Sequence, residues 1–174
     1  GTIVAATTAE GLPRVTVEAF DQDDLLVGAT ATDEDGAFEL PALLPARYRI
    51  RIRAEGFNDV WWPAATTIRD AMPLLAPPGQ VRDGLDVVLV GQPATLGGQV
   101  IAGDAPGMGV VVEAVAVDLL EPLEPRTTTT DADGNWILDA LPSPATYRIT
   151  YRAEGFDAVE LTQPVLGGAT LAVN

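Results

Sequence analysis

The sequence contains no cysteine, no histidine and no lysine among its 174 residues. Without cysteine and histidine the chain cannot form disulfides, nucleophile pairs of the Ser–His or Cys–His type, or thiolate and imidazole metal sites. Without lysine it cannot use Schiff-base chemistry, a phosphate-binding lysine or a lysine–asparagine isopeptide cross-link. The sequence therefore predicts a protein that is not an enzyme and that carries no cofactor.

Positive charge and long apolar runs are also scarce. Ten basic residues, all of them arginine, stand against 25 acidic residues and give a net charge of −15. Because such a surface repels a phosphate backbone, we expect no nucleic-acid partner. No run of 18 consecutive apolar residues is present, so we expect no direct insertion of this chain into a membrane.

The residues that are abundant favour short strands over helices. Aromatic residues make up 6% of the chain, whereas 17 glycines and 14 prolines interrupt it at short intervals. Between these interruptions lie segments rich in Val, Ile, Leu and Thr, a composition typical of strands joined by turns. The composition predicts an all-β fold.

One pattern occurs twice in the chain. Residues 33–38 (DEDGAF) return as residues 131–136 (DADGNW), and the stretch from Leu44 to Phe57 returns as the stretch from Leu141 to Phe156. The offset of 98 to 99 residues is the size of a single domain and too long for a solenoid repeat. The repeat indicates two copies of one module.

We predict two domains, residues 1–92 and residues 93–174, each an antiparallel β-sandwich of seven strands. The first carries a long insertion near residues 63–84, and loops of that length are commonly functional or disordered. The strand candidates are residues 2–6, 14–20, 26–32, 37–40, 46–54, 58–62 and 85–90 in the first domain, and 96–102, 110–117, 126–130, 135–139, 145–153, 158–162 and 169–173 in the second.

The strand candidate at residues 46–54 alternates strictly between apolar and basic residues, which places four arginines on one face. These arginines are Arg47, Arg49, Arg51 and Arg53. One interpretation is a basic surface that docks an acidic partner or a neighbouring domain. The favoured interpretation is a solvated sheet face whose arginines pair with acids such as Glu18 and Glu39.

Two adjacent tryptophans, Trp61 and Trp62, precede the insertion. Exposed indoles could form a platform that stacks on sugars or a protein-binding hot spot. Adjacent residues of a strand point to opposite faces, so we expect one indole in the core and the other at least partly exposed or covered by the insertion. Structural packing is the favoured interpretation, and carbohydrate binding is the alternative.

The Asp-x-Asp-Gly motif occurs at residues 33–36 and again at residues 131–134. Carboxylates at alternate positions before a glycine make Asp33, Asp35, Asp131 and Asp133 weak candidates for calcium ligands. The remaining ligands of a calcium loop are missing, and no bidentate Glu closes either segment. A tight turn capped by aspartate, with the glycine at positive φ, is the favoured interpretation.

Together these motifs resemble the carboxypeptidase regulatory-like domain family. In the first copy the resemblance rests on residues 15–19 (VTVEA), 32–38 (TDEDGAF), 44–45, 48–50 and 56–57. In the second copy it rests on Gly98 and on residues 110–114, 130–136, 141–142, 147 and 155–156.

The resemblance implies a prealbumin-like, or transthyretin-like, Ig-like sandwich in each copy, related to the collagen-adhesin B-type repeats. It implies a structural or accessory role in a larger bacterial protein that is secreted or exposed at the cell surface. The expected partner is another protein or the rest of the parent chain, and a carbohydrate-binding module that uses Trp61 and Trp62 is the alternative. The family motif contains no catalytic residues.

Overall fold

Short strands make up the regular structure of this protein. The computed structural model describes residues 1–79 and 81–173, and within these residues it contains 16 strands and no helix. The all-β class predicted from composition is thus confirmed. Backbone contacts divide the chain into two compact units, Gly1–Val90 and Gly91–Asn174.

The first unit is built on one antiparallel sheet and a pair of parallel strands. The sheet has the order β3-β2-β4-β5, and β6 pairs with β4 beside β5, whereas β1 and β7 pair in parallel. The alternation at residues 46–54 explains why β4 forms at the centre, since it buries its apolar side chains on one face. The strands are β1 (Ile3–Ala5), β2 (Thr16–Phe20), β3 (Leu26–Ala31), β4 (Ala46–Arg53), β5 (Val60–Trp61), β6 (Leu74–Ala76) and β7 (Val87–Leu89).

The core of the first unit lies between the sheet and the parallel pair. Side chains from the inner faces of β2 and β4 pack against those of β1 and β7. Packing of branched apolar side chains between two β layers is the main source of stability in such a sandwich. The fully enclosed residues are Ile3, Val15, Val17, Ala19, Ile52 and Leu89.

The second unit has two sheets and a short ribbon. One sheet has the order β12-β11-β14-β15, the other has the order β13-β8-β16, and β9 pairs with β10. The two sheets enclose a core that includes Leu96, Val112, Leu141, Tyr147 and Ile149. The strands are β8 (Ala94–Gln99), β9 (Ile101–Ala102), β10 (Ala105–Pro106), β11 (Val111–Ala116), β12 (Arg126–Thr129), β13 (Asn135–Leu141), β14 (Ala145–Arg152), β15 (Val159–Val165) and β16 (Thr170–Ala172).

A buried threonine fixes the same loop in both units. Thr32 accepts a hydrogen bond from the backbone nitrogen of Val15 at 2.9 Å and donates one to the carbonyl oxygen of Leu12 at 2.5 Å. Thr130, 98 residues later, makes the equivalent pair of bonds at 2.8 and 2.5 Å. Each hydroxyl thus satisfies two backbone groups that would otherwise be buried without partners.

A buried tyrosine closes a second loop in the same way. The hydroxyl of Tyr48 donates to the carbonyl oxygen of Leu44 at 2.7 Å, and that of Tyr147 donates to the carbonyl oxygen of Pro142 at 2.8 Å. Both rings lie in the core, so each tyrosine joins apolar packing to a hydrogen bond at the surface.

Two features of the first unit differ from the strands that the sequence predicts. Residues 37–40 form no strand, because their backbone pairing is limited to the bridge between Thr2 and Ala37 and the hydrogen bonds between Phe38 and Gly1. The insertion, in contrast, contributes the strand β6, which the sequence analysis did not predict and which pairs with the start of β4.

Candidate functional site

The most distinctive charged surface of the first unit is the arginine row of β4, which consists of Arg47, Arg49, Arg51 and Arg53. Arg49 forms an ion pair with Asp24 at 2.8 Å, and Arg53 forms one with Asp59 at 3.3 Å. Arg47 is exposed, and none of the described residues forms an ion pair with it. The pair of Arg53 is exposed on both sides and contributes about 0 to 1 kcal/mol, whereas the Arg49 side chain is half-buried and only its partner Asp24 is exposed.

Arg51 lies in a different environment from the rest of the row. Its Nε donates to Glu18 Oε2 at 2.7 Å, and this carboxylate side chain is only 11% exposed. The guanidinium also stacks over the rings of Phe20 and Trp61, 5.0 and 5.6 Å from their centroids. Glu18, Phe20, Arg51 and Trp61 form one unit, which we name the Arg51 cluster, and it holds Arg51 in place.

The structure places the two tryptophans differently. Trp61 is 8% exposed, and its ring packs at a tilt against Phe20 with 5.2 Å between centroids. Trp62 is half-buried and packs against the core of the first unit. The two indoles therefore do not present a pair of exposed, coplanar faces, and the geometry lends no support to the carbohydrate alternative.

The Asp-x-Asp-Gly motifs form matching turns in the two units. Asp33 Oδ1 accepts hydrogen bonds from the backbone nitrogens of Asp35 and Ala37 at 3.0 and 2.8 Å. Asp131 Oδ1 accepts the equivalent hydrogen bonds from the backbone nitrogens of Asp133 and Asn135 at 3.0 and 2.8 Å. One carboxylate oxygen of each turn is thus engaged in shaping the backbone, as expected for aspartate in turns.

The glycine that ends each turn is required by both conformation and space. Gly36 has a φ of +76° and Gly134 a φ of +79°. A side-chain carbon on Gly36 would collide with the carbonyl oxygen of Ile3, and one on Gly134 with that of Val100. The turn therefore lies directly against β1 in the first unit and against the residue that follows β8 in the second.

The acidic side chains do not assemble into a metal centre in the part of the chain that the structure describes. No group of three or more acidic residues there is arranged so that it could hold a metal ion. The calcium hypothesis for Asp33, Asp35, Asp131 and Asp133 stays a prediction for a binding experiment.

The strand β14 of the second unit carries two arginines, whereas β4 carries four. Arg148 lies 3.8 Å from Glu160, and Arg152 forms an ion pair with Glu113 at 3.0 Å. Thr150 stands opposite Glu113 where the first unit has Arg51 opposite Glu18. The Arg51 cluster thus has no equivalent at the matching positions of β11 and β14.

Among the residues that the structure describes, three ionisable groups have pKa values displaced by their surroundings. Burial raises the pKa of Tyr147 to about 12 and also raises the pKa of Tyr151. Hydrogen bonds from the hydroxyl and the backbone nitrogen of Thr2, at 2.6 and 2.9 Å, lower the pKa of Asp86. Tyr147 and Asp86 form hydrogen bonds within their own units, whereas burial alone accounts for the shift of the Tyr151 pKa.

Sequence reasoning missed the parts of this surface that depend on pairing register. Glu18 and Glu39 were predicted as acids that pair with the arginine row; Glu18 pairs with Arg51, whereas Glu39 forms no ion pair among the described residues. The contact of Arg51 with the ring of Phe20 was not predicted. Thr32 and Thr130 belong to the segments that carry the family resemblance, but no role was predicted for them. Both are buried, and each is hydrogen-bonded to two backbone groups. Their recurrence at a 98-residue offset was the available signal.

Comparison with known families gives one match, and it lies within the first unit. Residues 1–71 match the model of the carboxypeptidase regulatory-like domain. The resemblance carried by the sequence motifs is thus confirmed over these residues, all of which lie in the first unit. Membership of the second unit, and with it the division into domains 1–92 and 93–174, stays a prediction.

Comparison with solved structures gives several matches of low sequence identity. They are the Bacillus anthracis TIE protein (13% identity over 98% of this chain, TM-score 0.45), the shaft pilin SpaA from Lactobacillus rhamnosus GG (14% over 97%, TM-score 0.32) and a putative adhesin from Bacteroides ovatus (12% over 98%, TM-score 0.38). The chain spans 32% of the TIE protein chain, 93% of SpaA and 85% of the adhesin. Comparison with curated protein sequences gave no match.

Within the described residues, no helix is long and apolar enough to cross a membrane.

Proposed function

We propose that this chain is a non-catalytic structural or interaction module of a larger bacterial protein that is secreted or exposed at the cell surface. In that protein it spaces or presents other domains and contacts protein partners. One observation supports this role above the others. The polar residues that recur in both copies are engaged in holding the backbone.

Each recurrent side chain forms hydrogen bonds that shape its own unit. Thr32 and Thr130 are each hydrogen-bonded to two backbone groups, and Tyr48 and Tyr147 each close a loop. Asp33 and Asp131 each cap a turn. A catalytic repeat would instead direct such groups toward a cleft where they could meet a substrate. The repeated residues therefore favour a scaffold.

The arginine row supports protein contact as part of this role. Arg47 and Arg53 are the most exposed members, and they lie on a chain whose net charge is strongly negative. A basic row on an acidic surface offers an oriented contact for an acidic segment of a partner or of the parent chain. Arg51 is less accessible, because Glu18 and two aromatic rings enclose it.

The location of the chain in the cell tests the proposal. Antibodies raised against the folded 174-residue chain should label intact cells of the organism that makes it, and mild protease treatment of those cells should remove the label. An antibody against a cytoplasmic protein is the matched control and should label only permeabilised cells. Labelling by the first antibody that also requires permeabilisation would refute a surface role.

A further inference from the structure

The outer strand β3 of the first unit has a free edge. It lies at the end of the sheet and pairs with β2 alone among the described strands. None of its six residues is buried, and no backbone hydrogen bond of a described turn or loop involves them. Every second backbone donor and acceptor of an outer strand points away from the sheet. The free edge of β3 therefore presents the groups that pair with an added strand.

The start of β3 belongs to an exposed apolar run. Leu25, Leu26 and Val27 are 61%, 54% and 47% exposed. In the part of the chain that the structure describes, no other three consecutive large apolar residues are exposed. Such a run at a protein surface marks a contact site or creates a risk of aggregation. A partner that covers the edge would remove this apolar surface from water.

The other long outer strands carry residues that oppose strand addition. Among the described strands of four or more residues, β12 carries Arg126, β13 carries Asp139, and β15 carries both Glu160 and Pro164. Charged side chains and proline are the usual means by which outer strands avoid pairing with another chain. The strand β3 contains neither a charged residue nor a proline.

The strand β12 provides the closest comparison, because it occupies the position of β3 in the second unit. Thr130 follows Thr32 by 98 residues, and each threonine comes directly after an outer strand or one residue later. At the same offset, Leu26 and Val27 correspond to Glu124 and Pro125. The second unit therefore has a charge and a proline where the first has two exposed apolar residues.

Acidic turns flank the free edge at both ends. Residues 21–24 (DQDD) precede the apolar run, and residues 33–35 (DED) follow the strand. Two arginines lie nearby: Arg49 pairs with Asp24 at 2.8 Å, and the backbone nitrogen of Arg14 donates to the carbonyl oxygen of Thr32. Six acids against two arginines leave both ends of the edge in an acidic environment.

A second copy of this chain fits the edge poorly. In an antiparallel pair of β3 strands, residues 21–24 of one copy would lie beside residues 33–35 of the other. In a parallel pair, each acidic turn would lie beside its own equivalent. Both arrangements bring like charges together, and each copy carries a net charge of −15. A segment with basic residues at both ends would instead complement the two turns.

We propose that the free edge of β3 is a strand-addition site for an extended segment of a partner protein, with about six uncharged residues in its centre and arginine or lysine at both ends. The segment pairs with β3 through main-chain hydrogen bonds, and its apolar side chains cover Leu26 and Val27. This inference rests on the proposed role in protein contact and names the surface and the chemistry of the partner. The site is separate from the arginine row, because β2 lies between β3 and β4.

The experiment measures binding of a fluorescent peptide, Lys-Arg-Thr-Val-Thr-Val-Thr-Val-Arg-Lys, to the full 174-residue chain by anisotropy. Amide hydrogen exchange over β3 and β12 is followed in the same samples. One control peptide has Glu and Asp in place of its four basic residues, and a second has proline at its two central positions. The first prevents charge complementarity, and the second prevents pairing through the main chain.

Two double variants of β3 and one control variant locate the contact. Leu26→Glu with Val27→Pro copies the second unit, and it adds an acid, so a loss of binding cannot come from weaker attraction of the basic peptide. Leu26→Thr with Val27→Thr keeps residues that favour strands and decides the result if the first variant does not fold. Val159→Thr replaces an exposed valine on the outer strand β15 and is the matched control.

The basic peptide should bind at least about tenfold more tightly than either control peptide and should protect amides of β3 but not of β12. Each folded β3 variant should weaken this binding by about tenfold or more, whereas Val159→Thr should leave it unchanged.

Four results would overturn the proposal. They are no binding at about 1 mM basic peptide, equal binding of either control peptide, unchanged binding by the folded β3 variants, and protection of β3 without peptide that rises with chain concentration. The last would mean that a second copy occupies the edge. The position of the chain in the cell does not enter this measurement, so the site and the proposed function can fail separately.

Discussion

The Arg51 cluster allows a quantitative prediction about a partly buried ion pair. Glu18 and Arg51 have side-chain exposures of 11% and 27%, and their charged atoms lie 2.7 Å apart. With an effective dielectric constant of 20, the direct attraction at this distance is about 6 kcal/mol, most of which the loss of hydration offsets. We expect a net coupling of about 2 kcal/mol, which a double-mutant cycle of Glu18→Gln and Arg51→Met would measure.

The second unit supplies a matched control on the same kind of strand pair. Glu113 and Arg152 lie 3.0 Å apart, but their side chains are 26% and 54% exposed. Exposed pairs contribute about 0 to 1 kcal/mol, so the cycle of Glu113→Gln and Arg152→Met should give a coupling of about 0.5 kcal/mol. The two pairs differ in burial, in the aromatic rings that contact Arg51, and in register, since Glu18 lies directly opposite Arg51 whereas Glu113 lies opposite Thr150. Their comparison therefore measures the combined effect of this enclosed environment.

Native-state hydrogen exchange is the suitable assay, because it reports the free energy of opening separately for the central strands of each unit. The exchange of amides in β2 and β4 follows the first pair, and that of amides in β11 and β14 follows the second. Raising the salt concentration from about 0.1 M to 1 M should weaken the exposed pair more than the enclosed one. A coupling for Glu18 and Arg51 no larger than that for Glu113 and Arg152 would refute the reasoning.

Three further predictions concern the frame of the two units. Thr32→Val and Thr130→Val should each destabilise their own unit by about 2 to 4 kcal/mol, because two backbone groups lose their hydrogen-bond partners. Urea unfolding measures this loss, and a variant as stable as the wild type would contradict the role of the threonine. The pKa of Tyr147 is raised from 10.0 to about 12, so the unfolded chain loses this proton at a lower pH than the folded one, and the second unit should lose stability as the pH rises from 10 to 12. Tyr147→Phe should flatten this dependence of the unfolding free energy on pH, and an unchanged dependence in the variant would contradict the prediction. Gly155 has a φ of +82° and open space around it, so Gly155→Ala should lower the free energy of unfolding by about 1 kcal/mol. Gly134→Ala should lower it clearly more, because the new carbon meets the carbonyl oxygen of Val100. Thermal unfolding measures both values, and similar values would contradict the predicted clash.

Much of the fold could be predicted from local patterns. Alternation at residues 46–54 predicts the central strand with its apolar and basic faces, and β4 spans Ala46–Arg53 with that arrangement. The Asp-x-Asp-Gly motif likewise contains its own turn geometry, since the donors to Asp33 lie two and four residues away. Such features need only information that is close in sequence.

The remaining features depend on distant partners. Residues 37–40 have the composition of a strand but form none, because a strand requires a neighbour and this segment has one only at its first residues. The strand β6 was missed because its three residues lie between Pro73 and Pro77, too few to show an alternation. The aromatic walls around Arg51 depend on the register that brings Phe20 and Trp61 together, which the sequence does not display.

The aspartate-capped turn has a practical consequence for protein engineering. All the backbone donors that its carboxylate satisfies come from within the turn itself, so residues 33–37 can be exchanged between the two copies as a single cassette. Its outward residues, Glu34 in one copy and Ala132 in the other, are exposed and form no part of that bonding. A library varied at these two sites could therefore display new recognition surfaces while the supporting architecture is kept.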